Sequence, residues 1–302
     1  MKTTPLAIVF FSAIAILFGG ISCKHGHGGG GGEGPVYTPA PSGSGGNSGS
    51  GTTGTSSTGF ITVAGNGSTI VSMLVCDHEV TQGEYEKFCF YGSDIGSSVP
   101  NSFGKGINYP AYYISWYSAL VYCNLRSLAE GLTPCYSIGG ETNPACWTEV
   151  QVLNGKYSGP YSSNHATWDA VTCNASANGY RLPTSAEWEY LAKGGSAQEN
   201  YTYSGSDTIG DVAWYNGNSI TPTGTTHEVK GKAANSLGLY DMSGNVDEWC
   251  WDFRLKGHLS GRIYRGGFWG SYAYDCEVSH WYNELPGCTF YNIGCRVVRT
   301  AQ

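Results

Sequence analysis

Residues 24–58 are the part of the chain that most restricts how it can fold. Gly and Ser dominate this stretch, with Thr, a few Pro and almost no aliphatic side chains. Such a segment buries too little apolar surface to offset the entropy lost on ordering. We therefore predict a flexible tether with a root-mean-square reach of roughly 30–35 Å. Folding is then confined to residues 59–302, a length that suits one large domain or two small ones.

The first residues have the pattern of a secretory leader. Lys2 precedes an apolar run from Pro5 to Ile21, and the small residue Ser22 stands immediately before Cys23. This pattern predicts a signal peptide over residues 1–22. The end of the run also resembles a bacterial lipobox, in which the cysteine thiol is acylated, although Gly20 stands where Leu is usual. We expect lipidation at Cys23, a tether over 23–58, and attachment to a membrane at the bacterial outer surface. An uncleaved signal anchor and a plain signal peptide with a spare cysteine are the alternatives.

The composition excludes several classes of function. The chain carries a net charge of −7 and has no cluster of Lys or Arg, which argues against nucleic acid as a partner. Eleven cysteines leave ten once Cys23 is assigned to lipid, and an even number in an exported chain permits disulfides. No cysteine and histidine spacing typical of structural zinc is present. We expect a monomer.

Local patterns in residues 59–302 predict short strands and few helices. The predicted elements are a hairpin from strands 60–63 and 69–75, a helix capped by Thr81 and running to Cys89, a helix from Ser115 to Gly131, and a helix capped by Thr184 and ending at Gly194-Gly195. Residues 132–179 lack sustained periodicity, and we predict an irregular insertion cross-linked through Cys135, Cys146 or Cys173. The fold class is therefore α+β.

Several unusual short sequence motifs then occur in a characteristic order. They are Glu79-Val80-Thr81, Ile114-Ser115-Trp116, Tyr180-Arg181-Leu182-Pro183-Thr184, Glu187-Trp188-Glu189-Tyr190, Gly238-Leu239-Tyr240-Asp241-Met242, Gly244-Asn245-Val246, Glu248-Trp249 and Arg265-Gly266-Gly267. This order resembles the domains of the formylglycine-generating-enzyme (sulfatase-modifying factor) type. The resemblance implies a C-type lectin fold with few helices, short twisted strands and much irregular structure.

The enzymes of that family are implied to use two cysteines, five positions apart, that bind copper just after the Gly-Gly turn. The matching positions here are Ser271 and Cys276. A serine hydroxyl is a poor ligand for Cu(I), which prefers soft thiolates. We therefore expect no catalytic residues and no enzyme activity, with a formylglycine-generating-type cysteine oxidase as the alternative.

The C-terminal segment 266–296 also resembles the variable proteins of diversity-generating retroelements, and most closely the variable surface lipoproteins of treponemal spirochaetes. In these proteins, ligand-binding codons are rewritten between fixed positions. The fixed positions here, which we call the frame, are Arg265, Gly266, Gly267, Phe268, Trp269, Ala273, Cys276, Pro286, Ile293, Gly294 and Arg296. The resemblance implies sixteen ligand-binding residues, which we call the variable positions: Gly270, Ser271, Tyr272, Tyr274, Asp275, His280, Trp281, Tyr282, Asn283, Glu284, Leu285, Cys288, Thr289, Phe290, Tyr291 and Asn292.

The variable positions mix aromatic and small polar side chains, as recognition surfaces do. Aromatic side chains supply large contact areas at low entropy cost, whereas Ser, Asn and Gly supply adaptable hydrogen bonds. The candidate anchors are Tyr272, Tyr274, Trp281, Tyr282, Phe290 and Tyr291. We expect an unknown protein or glycan ligand at the cell surface. A lectin of fixed specificity is a further alternative.

Asn245, Val246 and Glu248 match positions at which family members hold calcium, a cation that prefers carboxylate and carbonyl oxygens. The same residues suit a tight turn ahead of a buried Trp249, and we favour that interpretation. We therefore expect no cofactor, with calcium as the alternative.

Overall fold

A computed structural model describes residues 59–91, 103–161, 165–220, 224–256 and 259–301. The predictions for the leader, for Cys23 and for the tether lie outside these residues. Within the described ranges, no helix has the length and apolar character needed to cross a membrane.

The described residues contain six α-helices, four of which have a single turn. The helices are α1 (Gln82–Tyr85), α2 (Trp116–Ala129), α3 (Ala166–Asp169), α4 (Ser185–Ala192), α5 (Ile209–Val212) and α6 (Asn216–Ser219). The strands are β1 (Phe60–Val63), β2 (Met73–Cys76), β3 (Tyr136–Ser137), β4 (Gln151–Leu153), β5 (Lys156–Ser158), β6 (Thr172–Cys173), β7 (Asp247–Lys256), β8 (Leu259–Arg265), β9 (Tyr282–Glu284), β10 (Ile293–Gly294) and β11 (Val298–Thr300). The predicted α+β class with few helices and short strands is confirmed.

Two small sheets organise the domain. The first has the strand order β1-β2-β11 and is antiparallel, so it joins the start of the domain to its end. The second has the order β10-β7-β8-β9, in which β10 runs parallel to β7 and the other pairs are antiparallel. Two ribbons, β3-β6 and β4-β5, lie within the predicted insertion. The segment 266–296 leaves β8 at Arg265 and returns through β9 and β10, so the second sheet carries it.

The first hairpin forms, but its second strand starts later than predicted. The side-chain oxygen of Asn66 accepts hydrogen bonds from the amides of Ser68, Thr69 and Ile70 at 2.9–3.0 Å. This arrangement holds the backbone in a turn, as Asn side chains commonly do. Strand β2 therefore begins at Met73 and not at Thr69.

The capping boxes at Thr81 and Thr184 both form, and both start helices as predicted. Helix α4 ends at Ala192, ahead of Gly194 with its positive φ, and α2 ends at Ala129 as expected. Helix α1 is shorter than predicted, since it ends at Tyr85. The chain beyond it pairs with β5 instead, where the Phe90 amide donates to the Tyr157 carbonyl at 3.2 Å.

Of the three cysteines in the predicted insertion, Cys146 is disulfide-bonded, whereas the cross-linking predicted through the other two is wrong. Cys135 and Cys173 are both free thiols, although they lie on the neighbouring strands around β3 and β6. Cys135 instead donates to the Gly179 carbonyl at 3.3 Å. An even number of cysteines therefore did not predict whether these two residues form a disulfide.

The core around the second sheet combines buried tryptophans with buried charge. Trp188 donates to the Glu248 carboxylate at 2.7 Å, and Trp249 donates to the Ile114 carbonyl at 2.7 Å. Arg296 and Glu248 form a fully buried ion pair at 2.8 Å. Such a pair is stable only when its remaining hydrogen-bonding groups are satisfied. Arg296 meets this condition through the carbonyls of Cys76 and Tyr240 at 3.0 and 2.6 Å.

Candidate ligand-binding site

A reversal of the chain after β8 positions the candidate site. Gly266 and Gly267 both have positive φ, at 101° and 73°, a conformation that costs glycine little. A Cβ on Gly267 would lie 2.7 Å from the Cys276 sulfur, so this position also lacks room for a side chain. The Gly-Gly pair therefore folds the following turn back over the edge of the second sheet.

Ser271 and Asp275 hold that turn together. The Ser271 hydroxyl accepts from the Phe268 amide at 3.1 Å. The Asp275 carboxylate accepts from the Tyr272 amide at 3.2 Å, and this contact caps the short 3-10 helix Ala273–Cys276. Both contacts are local, so the turn keeps its shape through its own side chains.

A cleft of about 330 Å³ lies between the turn and the sheet. Its lining combines aromatic rings with carboxyl, amide and hydroxyl groups. The lining residues are Asp247, Tyr264, Phe268, Gly270, Ser271, Tyr272, Tyr274, Asp275, Tyr282 and Asn292. Seven of these ten are variable positions, and the sequence placed them as far as 22 residues apart, from Gly270 to Asn292.

Four tyrosines and a histidine form a continuous aromatic row along one side of the cleft, which we call the tyrosine wall. Its members are Tyr264, Tyr272, Tyr274, His280 and Tyr282. Tyr272 and Tyr274 are stacked with ring centroids 6.0 Å apart, and Tyr264 and Tyr282 are stacked at 5.9 Å. His280 lies between the two pairs, 5.9 Å from Tyr274 and 5.0 Å from Tyr282. The wall thus presents preassembled rings to a ligand.

A second aromatic group surrounds Phe268, and we call it the Phe268 cluster. It contains Phe103, Phe268, Trp269 and Tyr291, with Phe103 stacked on Tyr291 at 5.0 Å and on Trp269 at 5.8 Å. Phe268 packs edge-on against Trp269 at 5.6 Å and against Tyr291 at 5.9 Å. Trp269 is buried, as expected for a frame residue, whereas Tyr291 is exposed.

Asp247 is the most unusual polar group in the cleft. Its carboxylate accepts from the Asn292 side chain at 2.8 Å, yet only 4% of the residue is exposed. Burial raises the pKa of Asp247 to about 8, and the nearby carboxylates of Asp275 and Glu248 act in the same direction. At neutral pH the cleft therefore contains a protonated Asp247 beside the Asp275 carboxylate.

The variable positions occupy mainly accessible places. Ser271 and Asn283 are buried, and the other fourteen of the sixteen are at least partly exposed. Tyr272, Tyr274, Phe290 and Tyr291 fall in the exposed class. Gly270, Asp275, His280, Trp281, Tyr282, Glu284, Leu285, Cys288, Thr289 and Asn292 are partly exposed.

The alternation of β9 explains which variable positions turn away from the cleft. Tyr282 faces Tyr264 across the sheet and lines the cleft, whereas Trp281 packs against the core beside the first sheet. Asn283 is buried and donates to the Arg254 carbonyl at 3.2 Å. Successive residues of a strand point to opposite faces, so this division follows from geometry. Trp281 is therefore not among the residues that line the cleft.

The positions that would hold copper in a formylglycine-generating enzyme do not fit that metal. Ser271 offers a buried hydroxyl that already accepts from the Phe268 amide. Cys276 packs among Tyr203 and Val212, and its burial raises the pKa of the thiol, to which Asp247 and Asp275 add. Cu(I) requires soft thiolates, and this pair supplies one hard oxygen and one thiol that holds its proton.

The residues considered for calcium have protein partners. The Asn245 amide nitrogen donates to the Glu79 carboxylate at 2.7 Å, and its oxygen accepts from the His227 amide at 2.9 Å. Glu248 is engaged by Arg296 and Trp188. Asn245 has a positive φ of 63° in the turn ahead of β7, and Glu248 lies in β7 beside the buried Trp249.

Three residues of the site were absent from the sequence prediction. Asp247 and Tyr264 line the cleft from β7 and β8, and Phe103 joins the Phe268 cluster from outside the C-terminal segment. Asp247 stands between two of the family motifs, because Val246 ends one and Glu248 begins the next. This position is the sequence signal that lies nearest to Asp247. The strand pairings that bring these residues to the segment are long-range and have no local signature.

Comparison with known proteins agrees with this architecture. The sulfatase-modifying factor enzyme 1-like domain matches residues 44–301. The chain is 38% identical over 229 residues to the chaperone protein LppX of Paenibacillus barcinonensis, a stretch that covers 70% of this chain and 74% of that protein. It is 30% identical over 176 residues to the formylglycine-generating enzyme of Streptomyces coelicolor, covering 45% of this chain and 52% of the enzyme, so it spans about half the enzyme's length.

A solved structure with the same fold is Treponema denticola variable protein 1. The TM-score is 0.60 at 32% identity, and the match covers 76% of this chain and 85% of that protein. The resemblance to a variable protein with a C-type lectin fold is thus confirmed. The chain belongs to the family defined by the sulfatase-modifying factor enzyme 1-like domain, and its fold is the formylglycine-generating-enzyme type of C-type lectin fold.

Proposed function

We propose that this chain is a surface-displayed binding protein whose variable positions are diversified and contact the ligand. One observation carries the proposal: seven of the sixteen variable positions converge on a single cleft. The frame beneath them is largely buried, with Trp269, Cys276 and Ile293 in the core. A rigid frame under accessible side chains permits many surface sequences on one fold.

The aromatic groups favour binding over catalysis. Tyr272 and Tyr274 are stacked on each other before any ligand arrives, so little side-chain entropy remains to be lost on binding. The Ser271 and Cys276 pair does not provide the chemistry of the family's oxidases, which supports a function without copper catalysis. Conversion of a substrate-peptide cysteine by the purified protein would restore the oxidase alternative.

Display at the outer surface forms a separate part of the proposal, supported by the sequence around Cys23. The intact mass of the protein extracted from membranes tests it. We expect a chain that starts at Cys23 and carries acyl groups, and we expect Cys23→Ser to abolish the acyl mass. An N-terminus ahead of Cys23, or an unmodified cysteine, would remove lipid anchoring from the proposal.

A pair of libraries tests whether the variable positions tolerate change. The first library places mixtures of Tyr, Ser, Asp and Asn at the partly or fully exposed variable positions, and the second does so at the frame. We expect most members of the first library to fold when displayed on cells and to yield binders to an arbitrary protein such as lysozyme. The second library should lose folding. Equal loss of folding in both libraries would contradict the proposal.

A lectin of fixed specificity is favoured by one specific feature, since exposed stacked tyrosines such as Tyr272 and Tyr274 also suit the apolar faces of sugars. A glycan array probed with the purified chain separates the two functions. Strong binding to one glycan, with no diversification of the segment among cells, would support the lectin.

A further inference from the structure

The cleft is acidic and aromatic, and the residues that line it include no cation. Asp247 and Asp275 supply its two carboxyl groups, and Tyr264, Tyr272, Tyr274, Tyr282 and Phe268 supply rings. In the described part of the chain its lining residues include no lysine or arginine, and His280, which contacts Tyr274 and Tyr282 in the tyrosine wall, is not among them either. The cleft therefore offers negative charge and π-electron density to whatever enters it.

The two carboxyl groups have neutral partners. Asp275 accepts from the Tyr282 hydroxyl at 2.7 Å and from the Tyr272 amide at 3.2 Å. Asp247 accepts from Asn292 at 2.8 Å and is 4% exposed. Neither forms an ion pair with any residue in the described ranges, in contrast to the buried Glu187 and Glu248, which pair with Arg181 and Arg296. Within the described ranges Asp275 thus has no cationic partner, so a positive group supplied by a ligand would meet no competing ion pair there.

The tyrosine wall supplies the second half of a cation site. The face of a tyrosine ring carries negative electrostatic potential, and Lys or Arg side chains bind over such faces. Tyr272 and Tyr274 are 64% and 53% exposed, so their rings are open to a ligand. Tyr282 joins the wall to the acid, because its hydroxyl donates to Asp275.

We propose that the cleft binds an organic cation, a primary ammonium or guanidinium group presented by the ligand, between the tyrosine wall and the Asp247 and Asp275 carboxyl groups. This inference rests on the proposed function of the segment and names the chemistry that this particular version of it recognises. A volume of about 330 Å³ suits one side chain or amine-bearing group of a larger ligand. Calcium would use the oxygen groups of the cleft and not the faces of its rings, so variants of the tyrosine wall distinguish an organic-cation site from a calcium site.

Matched small probes test the inference on the purified full-length chain. Nα-acetyl-lysine methylamide carries the ammonium group, and Nα-acetyl-norleucine methylamide is its neutral counterpart. The corresponding guanidinium pair is the arginine and citrulline derivatives. Binding is followed by saturation-transfer nuclear magnetic resonance and by calorimetry. We expect each charged probe to bind at least about tenfold more tightly than its neutral counterpart.

Variants locate the binding. Asp275→Asn should reduce the ratio of charged to neutral affinity by about tenfold, as expected for loss of a charged partner in a partly buried site. Tyr274→Leu should reduce it severalfold, and Tyr274→Phe, which keeps the ring, should preserve it. Glu86→Gln removes an exposed acid outside the cleft and should leave the ratio unchanged. Because Tyr274 is exposed, its variants keep the test valid even where Asp275→Asn disturbs the turn.

Two outcomes overturn the inference. The first is equal affinity for the charged and neutral probes, or a ratio that Asp275→Asn and Tyr274→Leu leave intact. The second is displacement of the charged probes by calcium chloride together with calcium binding that Asp275→Asn abolishes, which would make the cleft a metal site. If the probes bind but the segment proves not to be diversified, the proposed function fails and this inference stands. If the segment is diversified and the probes do not bind, this inference alone fails.

Discussion

The side-chain amide of Asn292 donates a 2.8 Å hydrogen bond to the buried carboxyl group of Asp247. The backbone repeats the connection, since the Asp247 amide donates to the Asn292 carbonyl at 2.7 Å, where β7 and β10 begin to run in parallel. A variable position is thereby joined to a residue outside the variable segment. Changes at residue 292 should therefore alter the polarity of the cleft floor through Asp247.

The pKa of Asp247 makes folding stability depend on pH. Burial raises this pKa from 3.8 to about 8 in the folded state. The folded protein thus holds the proton more tightly, and the stabilisation, complete below pH 3.8, is lost as the pH rises towards 8. The slope attributable to this group approaches about 1.4 kcal/mol per pH unit between the two values.

Asp247→Asn replaces the protonated acid with a neutral side chain of the same shape. We expect the free energy of unfolding of the variant to equal that of the parent near pH 4 and to exceed it near pH 8, because burial raises the pKa of Asp247 to about 8. Urea unfolding at each pH measures the difference. Glu86→Gln removes an exposed acid and is the control, and its stability should depend on pH in the same way as that of the parent. Identical pH profiles for Asp247→Asn and the parent would contradict the assignment of the raised pKa to Asp247.

The turn after β8 requires glycine at residue 267 for two reasons. Its φ is 73°, and a Cβ would meet the Cys276 sulfur at 2.7 Å. Gly139 has a similar φ of 60° with open space around its Cβ position. Gly139→Ala should therefore cost about 1–2 kcal/mol in free energy of unfolding from backbone strain alone. Gly267→Ala should cost about 1–3 kcal/mol more, because the neighbours must also move. Equal losses of stability in Gly139→Ala and Gly267→Ala would show that the contact with the Cys276 sulfur adds nothing to the backbone strain.

Sequence reasoning predicted the helices best where the signal was local. The capping boxes at Thr81 and Thr184 use contacts within three residues, and both formed. The predicted length of α1 was wrong because a distant strand, through Tyr157, pairs with the backbone of Phe88 and Phe90. The start of β2 was wrong because the Asn66 side chain holds three amides in a turn. Both differences arise from competing partners for the same backbone groups.

The buried pair of Arg296 and Glu248 should be a large contributor to stability. Arg296→Met leaves a carboxylate without its cation in a fully buried place, which typically costs about 3–5 kcal/mol. Arg254→Met removes an exposed arginine and should change the free energy of unfolding by less than about 0.5 kcal/mol. Adding Glu248→Gln to Arg296→Met should recover part of the loss, since the uncompensated charge disappears. A loss no greater than that of the control would show that the pair contributes little.

Restoring the second sulfur tests whether the serine at position 271 weakens binding of Cu(I). Ser271→Cys provides the thiol that the position lacks, and we expect its affinity for Cu(I) to exceed that of the parent by at least about tenfold. Ser279→Cys adds a thiol at an exposed position nearby in sequence and should gain less. Competition with a chromogenic Cu(I) chelator measures the Cu(I) affinity of the parent and of both variants. Equal affinity of the parent and Ser271→Cys would mean that Ser271 is not the residue that prevents binding.

The candidate site could be predicted from sequence only in part. The variable positions stay a prediction that the resemblance implies, and two frame residues that separate them, Trp269 and Ile293, are buried in the structure. Asp247 and Phe103 were not identifiable, because parallel pairing of β7 with β10 and stacking on Tyr291 join distant segments. Trp281 was predicted to be a surface anchor, since composition alone does not reveal that this residue, just ahead of β9, packs against the core.

The central claim is that the residues around this cleft are diversified for binding, and the DNA beside the coding sequence tests it most directly. We predict a near-copy of the part that encodes the segment 266–296, differing from it mainly at adenines and lying beside a gene for a reverse transcriptase. The differences should fall on codons such as those of Tyr272, Tyr274 and Asn292, and should spare those of Trp269 and Cys276. Flanking DNA with no such repeat, or with differences spread evenly over frame and variable codons, would contradict the account.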